Sequence, residues 1–499
     1  MRIFKERSPT KGSKDKSLQW LRQITVSLAL AGAVAGLAGC SDNPPPVGAI
    51  GHIEGHFGGA VSDEPRASLV ARDILSAGGT AADAAVALYF ALSVTFPSGA
   101  SLGGGGVCVV HDSRTRKVEA IDFRVGAPSS SSAGASSDAG ASGEVGRARA
   151  SIGIPGNPRG MFALHARYGH LRWQQLVTPA EDMARFGAPV SRALAFELGR
   201  GGGRGGSVFK SKSGAVPKEG DNLQLVELSA TLGLIRAKGA GVFYTGLLAR
   251  KLEAGAASLG ASLNIGDLRD YRPVWRKTVT GKFGNHTVHF PPSPVSGGMI
   301  AAHMWNSLAE NGGYKSSPAA VREQSLATST MAALRVVLKR DRRKSNFQVD
   351  YGVTSFATID RAGGAVACSV TANDRFGVGR IIPGTGILAA RSPESAKGGV
   401  SLAPMLIVNP HSGNSYFAAA ASGNAVAPAA LISVALRVLL DKQPVKAAVA
   451  APRFRAAKVD ASSARVNLIY FPAGMPKAPA TCTYGVDPHG HGYAASGGN

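Results

Sequence analysis

Residues 81–94, "AADAAVALYFALSV", constrain the fold of this chain more than any other stretch. They hold a single charge, Asp83, and their apolar residues leave no polar stripe at helical spacing. A helix built from them is apolar nearly all round and belongs in an interior. Thr80 stands three residues before Asp83, a capping-box-like start for that helix. Just upstream, "DEPRASLVARDILSAGG" has apolar residues at helical spacing and stops at a glycine pair, which predicts another helix. A chain of 499 residues is long enough for the large core this requires, as one big domain or two lobes.

Strands and helices alternate along the rest of the chain. "SGASLGGGGVCVVHD" leads four glycines, residues 103–106, into a short apolar strand, and "KVEAIDFR" pairs with it as a hairpin. A phosphate loop would need a following GK[ST] and a helix; here a strand follows, so the glycines read as sites of close backbone packing. Residues 128–146 are Ser/Ala/Gly low complexity, a surface loop or insertion, and "GGGRGG" at 201–206 is another loop. "IPGNPRGMFALHARYGHLRWQQLVTPAEDMARFGAPVS" is a helical stretch broken by Pro and Gly. "FYTGLLARKLEAGAASLGASLNIGDLRDYRPVW" reads as helix, turn and short helix closed by Tyr271, and "HTVHF" as a strand. Residues 335–344 end a helix and enter a basic linker. Residues 355–359 and 365–370 are strands around the turn "DRAGG". "PMLIVNPHSGNSYFAAAA" is a second hairpin, and "SGNAVAPAALISVALRVLL" a turn that becomes a buried helix. The pattern is α+β with antiparallel sheets.

The net charge of +23 and pI near 10.2 raise the question of a nucleic-acid partner. The basic residues are dispersed. The densest runs, residues 11–16 and 339–344, are not interleaved with stacking aromatics, and no recognition motif for DNA or RNA occurs. No nucleic-acid partner is expected; attraction to an anionic membrane surface fits the charge at least as well. Residues 1–23 carry seven Lys or Arg against Glu6 and Asp15, and "ITVSLALAGAVAGLAG" follows, too short and too rich in small residues for a comfortable span. The run ends in "LAGC", which resembles a bacterial lipobox with Cys40 as the lipidated, mature N-terminus; the alternative is an ordinary signal peptide with an incidental cysteine. Ser41 after that cysteine resembles the pattern sorted to the outer membrane. Residues 41–60 are a Pro/Gly-rich tether. With Cys40 lipidated, Cys108, Cys368 and Cys482 leave one disulfide and one thiol over in an oxidising periplasm, and their spacing fits no zinc site.

Chemistry centres on "DYGVTSFATIDRAGGAVACSVTAND", residues 350–374, with hydroxyls at Thr354, Ser355 and Thr358. No G-x-S-x-G occurs, and His52, His56, His489 and His491 stand in glycine-rich surroundings without metal-motif order. No cofactor or metal is implied. The stretches "LVARDILSAGGTAADAAVAL", "GGGGVCVVHDSRTRKVEAIDFRVGAP", "FYTG", "DLRDYRPVW" and "ATIDRAGGAVACSVTANDRFGVGRIIPGTGIL" resemble the gamma-glutamyltransferase (glutathione hydrolase) family in order and spacing, from about residue 60 to "DPHGHG". The resemblance implies an N-terminal-nucleophile hydrolase with an αββα four-layer sandwich. It implies a proenzyme that cuts itself into a large and a small subunit, here residues 61–352 and 353–499. In the family a threonine at the new N-terminus attacks the gamma-glutamyl amide. Its hydroxyl first adds to the preceding carbonyl, and the amine so freed then serves it as base.

Carried over residue by residue, Arg124 matches the arginine that pairs with the substrate α-carboxylate, Asn373 an asparagine that holds the glutamyl group, and Thr371 a threonine near the nucleophile. Ser401 falls on a substrate-binding serine pair whose first member is Val400 here. Gly423 and Asn424 fall on the glycine pair of the oxyanion hole. The residues alone leave Arg124 open as an ion-paired surface arginine, Asn373 as a turn former and Ser401 as a strand-edge hydroxyl. The chain departs from the family where it matters most. Val353 occupies the nucleophile position, Val125 replaces a glutamate, and "AARSPESAKGG" stands where an acidic stretch grips the substrate amino group. Thr354 as substitute nucleophile requires cleavage one residue late, and on a strand one residue reverses the side-chain direction. Two functions follow as expectations: a lipid-anchored, periplasm-facing hydrolase or transferase of a small gamma-glutamyl or other anionic amide, impaired at Val353, or an uncleaved pseudoenzyme retained for binding in the envelope.

Overall fold

The computed structural model describes residues 55–129, 152–200, 208–209, 214–314, 318–338, 352–395, 401–423, 426–453, 455–456, 459–460 and 464–497. In chain order its main strands are β1 (Gly58–Ser62), β2 (Gly105–Asp112), β3 (Lys117–Phe123), β4 (Val274–Lys277), β5 (Val279–Phe283), β6 (His286–Phe290), β7 (Val353–Asp360), β8 (Ala365–Thr371), β9 (Ala403–Val408), β10 (Ser415–Ser422), β11 (Arg465–Met475), β12 (Thr483–Gly485) and β13 (Tyr493–Gly497). The helices used below are α1 (Pro65–Ser76), α2 (Ala81–Thr95), α3 (Asn157–Tyr168), α4 (Trp173–Phe186), α5 (Val226–Lys238), α6 (Ser296–Trp305), α7 (Ala319–Leu338) and α8 (Ala427–Leu439).

Seven strands form one antiparallel sheet in the order β13-β1-β7-β8-β2-β3-β4, and six form a second, β12-β11-β10-β9-β6-β5. The sheets face each other across Val61, Val109, Ala357, Ile359, Leu406, Ile469 and Phe471. On the outer face of the first sheet, α1 to α5 pack over Phe356, Val370, Cys108 and Phe123. On the outer face of the second, α6 to α8 pack over Val288, Ile407, Phe417 and Leu468. Two sheets between two helical layers make the αββα sandwich, and both sheets are antiparallel as the hairpin pattern requires.

α2 explains why the layers are needed. All fifteen of its residues are buried. It lies against α1, α3 and α4 on one side and β7 and β8 on the other. Its start is fixed by the predicted capping box: Thr80 Oγ1 accepts from Asp83 N at 3.1 Å, and Asp83 Oδ2 accepts from Thr80 N at 3.0 Å. The glycine run packs as its composition suggests. A Cβ on Gly104 would fall 2.4 Å from Thr371 O, and one on Gly105 2.2 Å from Val125 N.

Two boundaries drawn from sequence change meaning. The tether to residue 60 ends earlier, because residues 58–60 already lie buried in β1, paired with β7 on one side and β13 on the other. The large- and small-subunit-like segments are not separate bodies: each contributes strands to both sheets. They are also joined covalently. Cys108 and Cys368 sit directly opposite in β2 and β8 and form a disulfide across 260 residues of sequence. The remaining thiol, Cys482, is half-buried, and burial pushes it up to about 12. The low-complexity residues 130–146, "GGGRGG", the basic run 339–344, His52 and Cys40 lie outside the described residues. Among the described residues no helix is long and apolar enough to cross a membrane.

Two histidines pushed down to about 4 by burial, His111 and His289, make the fold pH-sensitive, and His111 is the deeper of the two. His111 on β2 is 2% exposed, with Nδ1 2.9 Å from Ser415 Oγ on β10 and 3.2 Å from Gly363 O. Burial pushes the imidazole down from 6.5 to about 4. A depressed histidine contributes stability in full above about pH 6.5 and loses it as the pH falls toward 4, up to about 3 kcal/mol in all. His111→Gln is therefore expected to flatten the fall in unfolding free energy between pH 6.5 and 4.5, measured by urea titration. An equally steep acid limb in the variant would place the control elsewhere.

Candidate active site

β7 lies inside the first sheet between β1 and β8, and alternation sorts its side chains. Ala357 and Ile359 lie between the sheets, and Ser355 Oγ accepts from Asn467 Nδ2 on β11 at 3.1 Å. Phe356 belongs to the helical side, where Thr358 Oγ1 donates to Ala81 O at the start of α2. Val353 therefore shares the inter-sheet face with Ser355, and Thr354 shares the helical face with Phe356. Thr354 packs on the helical turn Pro97–Ala100, where a Cβ on Gly99 would fall 3.2 Å from Thr354 Cβ. Gly352 precedes with φ of +58°, and a Cβ there would fall 2.5 Å from Arg375 Cα, so this position requires glycine.

Three of the predicted residues, Val353, Thr371 and Arg124, share one row at one end of the first sheet. Val353 pairs with Thr371 of β8, and Thr371 with Gly105 of β2. Gly106 pairs with Phe123, so Arg124 extends the same row past the end of β3. At about 4.8 Å per strand, Arg124 stands roughly 14 Å from Val353 along that row. Its guanidinium is held by Asp122 in a fork, Nε to Oδ1 and Nη2 to Oδ2 both at 2.9 Å, while Nη1 donates to Pro294 O at 3.3 Å. A substrate carboxylate would share this arginine with Asp122. Thr371 Oγ1 accepts from Asn373 N at 2.9 Å. Asn373 has φ of +63° and donates its amide to Arg391 O at 2.8 Å, so it both forms the turn and ties residue 391 to it. Arg391 in turn pairs with Asp374 at 3.0 Å. The Arg391–Asp374 ion pair thus sits beside Asn373, where the resemblance implies an acidic grip for a substrate amine. Ser401 is buried ahead of β9. Gly423 follows β10 with φ of +122°, a left-handed position suited to glycine, and Asn424 lies outside the described residues.

Spacing gave no signal for the group that organises this end of the sandwich. Asp63, 1% exposed, follows β1 and reaches both sheets. Its Oδ2 accepts from Thr354 Oγ1 at 3.0 Å, Ser355 N at 3.1 Å and Ser422 Oγ at 2.8 Å. Its Oδ1 accepts from Asn467 Nδ2 at 2.8 Å and lies 4.0 Å from Arg465 Nε. Arg465 continues to Glu197 at 3.1 Å, and Glu197 to Arg375 at 2.9 Å. Two carboxylates and two guanidiniums thus balance in a buried chain beside Val353. Thr354, the nearest hydroxyl to the would-be cleavage bond, is committed to this network.

The Gamma-glutamyltranspeptidase family model matches residues 67–345, more than half of the chain. The chain belongs to the gamma-glutamyltranspeptidase family. The family model's match stops before Val353. The chain is 29% identical over 386 residues to glutathione hydrolase 3 of Arabidopsis thaliana, covering 67% of this chain and 59% of that protein. To the glutathione hydrolase proenzyme of Escherichia coli it is 26% identical over 436 residues, covering 76% and 75%. The chain spans about half to three quarters of the length of the curated relatives it matches. The crystal structure of a cephalosporin acylase from Bacillus halodurans superposes with a TM-score of 0.71 over 91% of this chain and 98% of that one. At 18% identity, that likeness speaks to the fold alone. The αββα sandwich of this gamma-glutamyltranspeptidase family member is thus a fold it shares with that acylase.

Proposed function

We propose that this chain is a gamma-glutamyltransferase-like protein, of the class that hydrolyses or transfers gamma-glutamyl amides such as glutathione, in which Val353 impairs the nucleophilic step. One observation carries the reading. Val353 heads β7 on the inter-sheet face, opposite Thr371 and in line with Arg124, and it has no hydroxyl. An N-terminal threonine supplies nucleophile and base from one residue; valine can supply only the amine. The neighbouring hydroxyl, Thr354, faces the helices and donates to Asp63. That commitment favours the second reading as the limiting case: an uncleaved, inactive chain that binds a small anionic amide.

Location belongs to the same proposal. Cys40 would be lipidated and the protein would face the periplasm from a bacterial membrane, the outer one by the rule read from Ser41. The Cys108–Cys368 disulfide supports an oxidising compartment.

The test is a denaturing gel of the purified protein run with reductant, alongside a gamma-glutamyl-anilide assay. The expected result is one band, background turnover, and no change on Thr354→Ala. Two fragments, the smaller beginning at Thr354, would overturn the reading. Without reductant the gel is blind, because the Cys108–Cys368 bond would hold the two fragments together whether the cut falls before Val353 or before Thr354.

A further inference from the structure

A cavity of about 860 Å³ opens at the edge of the second sheet, built by four segments distant in sequence. They are the β5–β6 turn, the turn Asn306–Glu310 after α6, the β9–β10 connection, and the end of α8. The reading proposed above uses none of them.

Its wall is aromatic. The rings of His286 and Tyr416 lie 4.0 Å apart at 35°, and Phe283 follows at 6.1 Å from His286. Tyr416 rests on Gly474, where a Cβ would fall 2.8 Å from its Cζ, so its ring position is fixed by bare backbone. Asn409 Nδ2 lies 3.4 Å from His286 Nδ1 and sets the second ring.

Its charge is positive. Lys282 and Lys442 line the cavity, and among the described residues neither has a carboxylate within ion-pair distance. The acid at the rim, Glu310, is occupied: it accepts from the backbone of Lys282 and from Asn306 Nδ2. The exposed amide of Asn285 adds neutral hydrogen-bonding capacity.

Two backbone irregularities fall at the same place. Residues 306–310 form a π-helical turn, and Lys442 has φ of +57°. Both kinds of irregularity recur at ligand sites because packing must be spent to keep them.

Aromatic faces, unpaired ammonium groups and amides in one concave site call for a ligand with an apolar ring face, an anionic group and hydroxyls. We propose that this cavity binds an acidic saccharide, a sugar carrying a phosphate or a carboxylate. The apolar C–H groups of the sugar lie along the paired rings of Tyr416 and His286, the anion is drawn to Lys282 and Lys442, and Asn285 takes hydroxyls.

Titration calorimetry on the full chain tests this with glucose 6-phosphate, glucuronate, glucose and inorganic phosphate as probes. At least one acidic sugar is expected to bind about tenfold or more tighter than glucose and than phosphate. Which of the two prevails separates phosphate from carboxylate. The pair Lys282→Ala and Lys442→Ala, both exposed positions, is expected to weaken that binding about tenfold or more, and Tyr416→Ala to weaken it as well. Binding should not depend on whether the chain is cleaved, so this result stands apart from the gel and anilide assay. The proposal is overturned if no acidic sugar binds, if glucose binds as well, if phosphate alone binds as tightly as the sugar phosphate, or if the lysine variants bind unchanged.

Discussion

Val353→Thr is expected to turn an intact chain into two fragments on a reducing gel, the smaller one beginning at position 353. The fold should accept the change. Valine and threonine have similar shapes, and the introduced hydroxyl would face Thr371 directly across the ladder, a cross-strand pair that sheets favour. The new hydroxyl adds to the Gly352 carbonyl, the Gly352 C–N bond breaks, and the acyl group passes from nitrogen to oxygen. Water then cleaves the ester, leaving a carboxylate on Gly352 and a free amine at 353. That amine can accept the hydroxyl proton in the next reaction. Turnover of a gamma-glutamyl anilide should rise by roughly three orders of magnitude or more, the scale on which losing a nucleophile is felt in other hydrolases. If the variant is cut but stays inert, the block lies in recognition. Arg391 beside Asn373, and Asp122 already seated in the Arg124 fork, then become the residues to change. If the variant stays whole, valine is not what prevents cleavage, and the reading that rests on it falls.

The fold was legible because its signals are local. The all-apolar α2 demanded cover on every side, its cap was visible as Thr80 and Asp83, and each hairpin carried its own turn. β1 was missed because "GGAVS" lacks alternation and a branched pattern; it is a strand because two neighbours, β7 and β13, bury it. β11 and β13 were missed as well, since their partners lie tens to hundreds of residues away, and β5 was missed although it pairs with β6 across a two-residue turn. The site divided in the same way. Val353, Thr371, Asn373 and Arg124 could be picked out by resemblance, and strand register then set Val353, Thr371 and Arg124 in one row. What each side chain is already doing could not be read off. Arg124 is taken by Asp122, Asn373 by Arg391 O, and Thr354 by Asp63, and these partners are fixed by three-dimensional packing. Asp63 is the clearest case. It lies 291 residues before Thr354 and 404 before Asn467, and no spacing rule connects them.

Asp63→Ala should be the most destabilising single change at this end of the molecule. One carboxylate satisfies Thr354 Oγ1, Ser355 N, Ser422 Oγ and Asn467 Nδ2, and it faces Arg465. Its removal takes the carboxylate acceptor from Thr354 Oγ1, Ser355 N and Ser422 Oγ, while Asn467 Nδ2 keeps Ser355 O and Oγ. It also leaves Glu197 facing both Arg465 and Arg375. Breaking one member of a buried charged network while its partners remain costs about 3–5 kcal/mol. Deleting a single neutral hydrogen-bond donor nearby, as in Ser422→Ala, should cost only about 1 kcal/mol. Urea unfolding of the two variants measures the ratio. Asp63→Asn keeps the shape and one acceptor, and should fall between them. The comparison also bears on function. A carboxylate kept for catalysis at the nucleophile would act on Thr354 alone, and its loss would move activity more than stability. A carboxylate kept to join the two sheets would move stability, with or without the hydroxyl at position 353. Equal costs for Asp63→Ala and Ser422→Ala would reject the joining role and return Asp63 to the chemistry of the site.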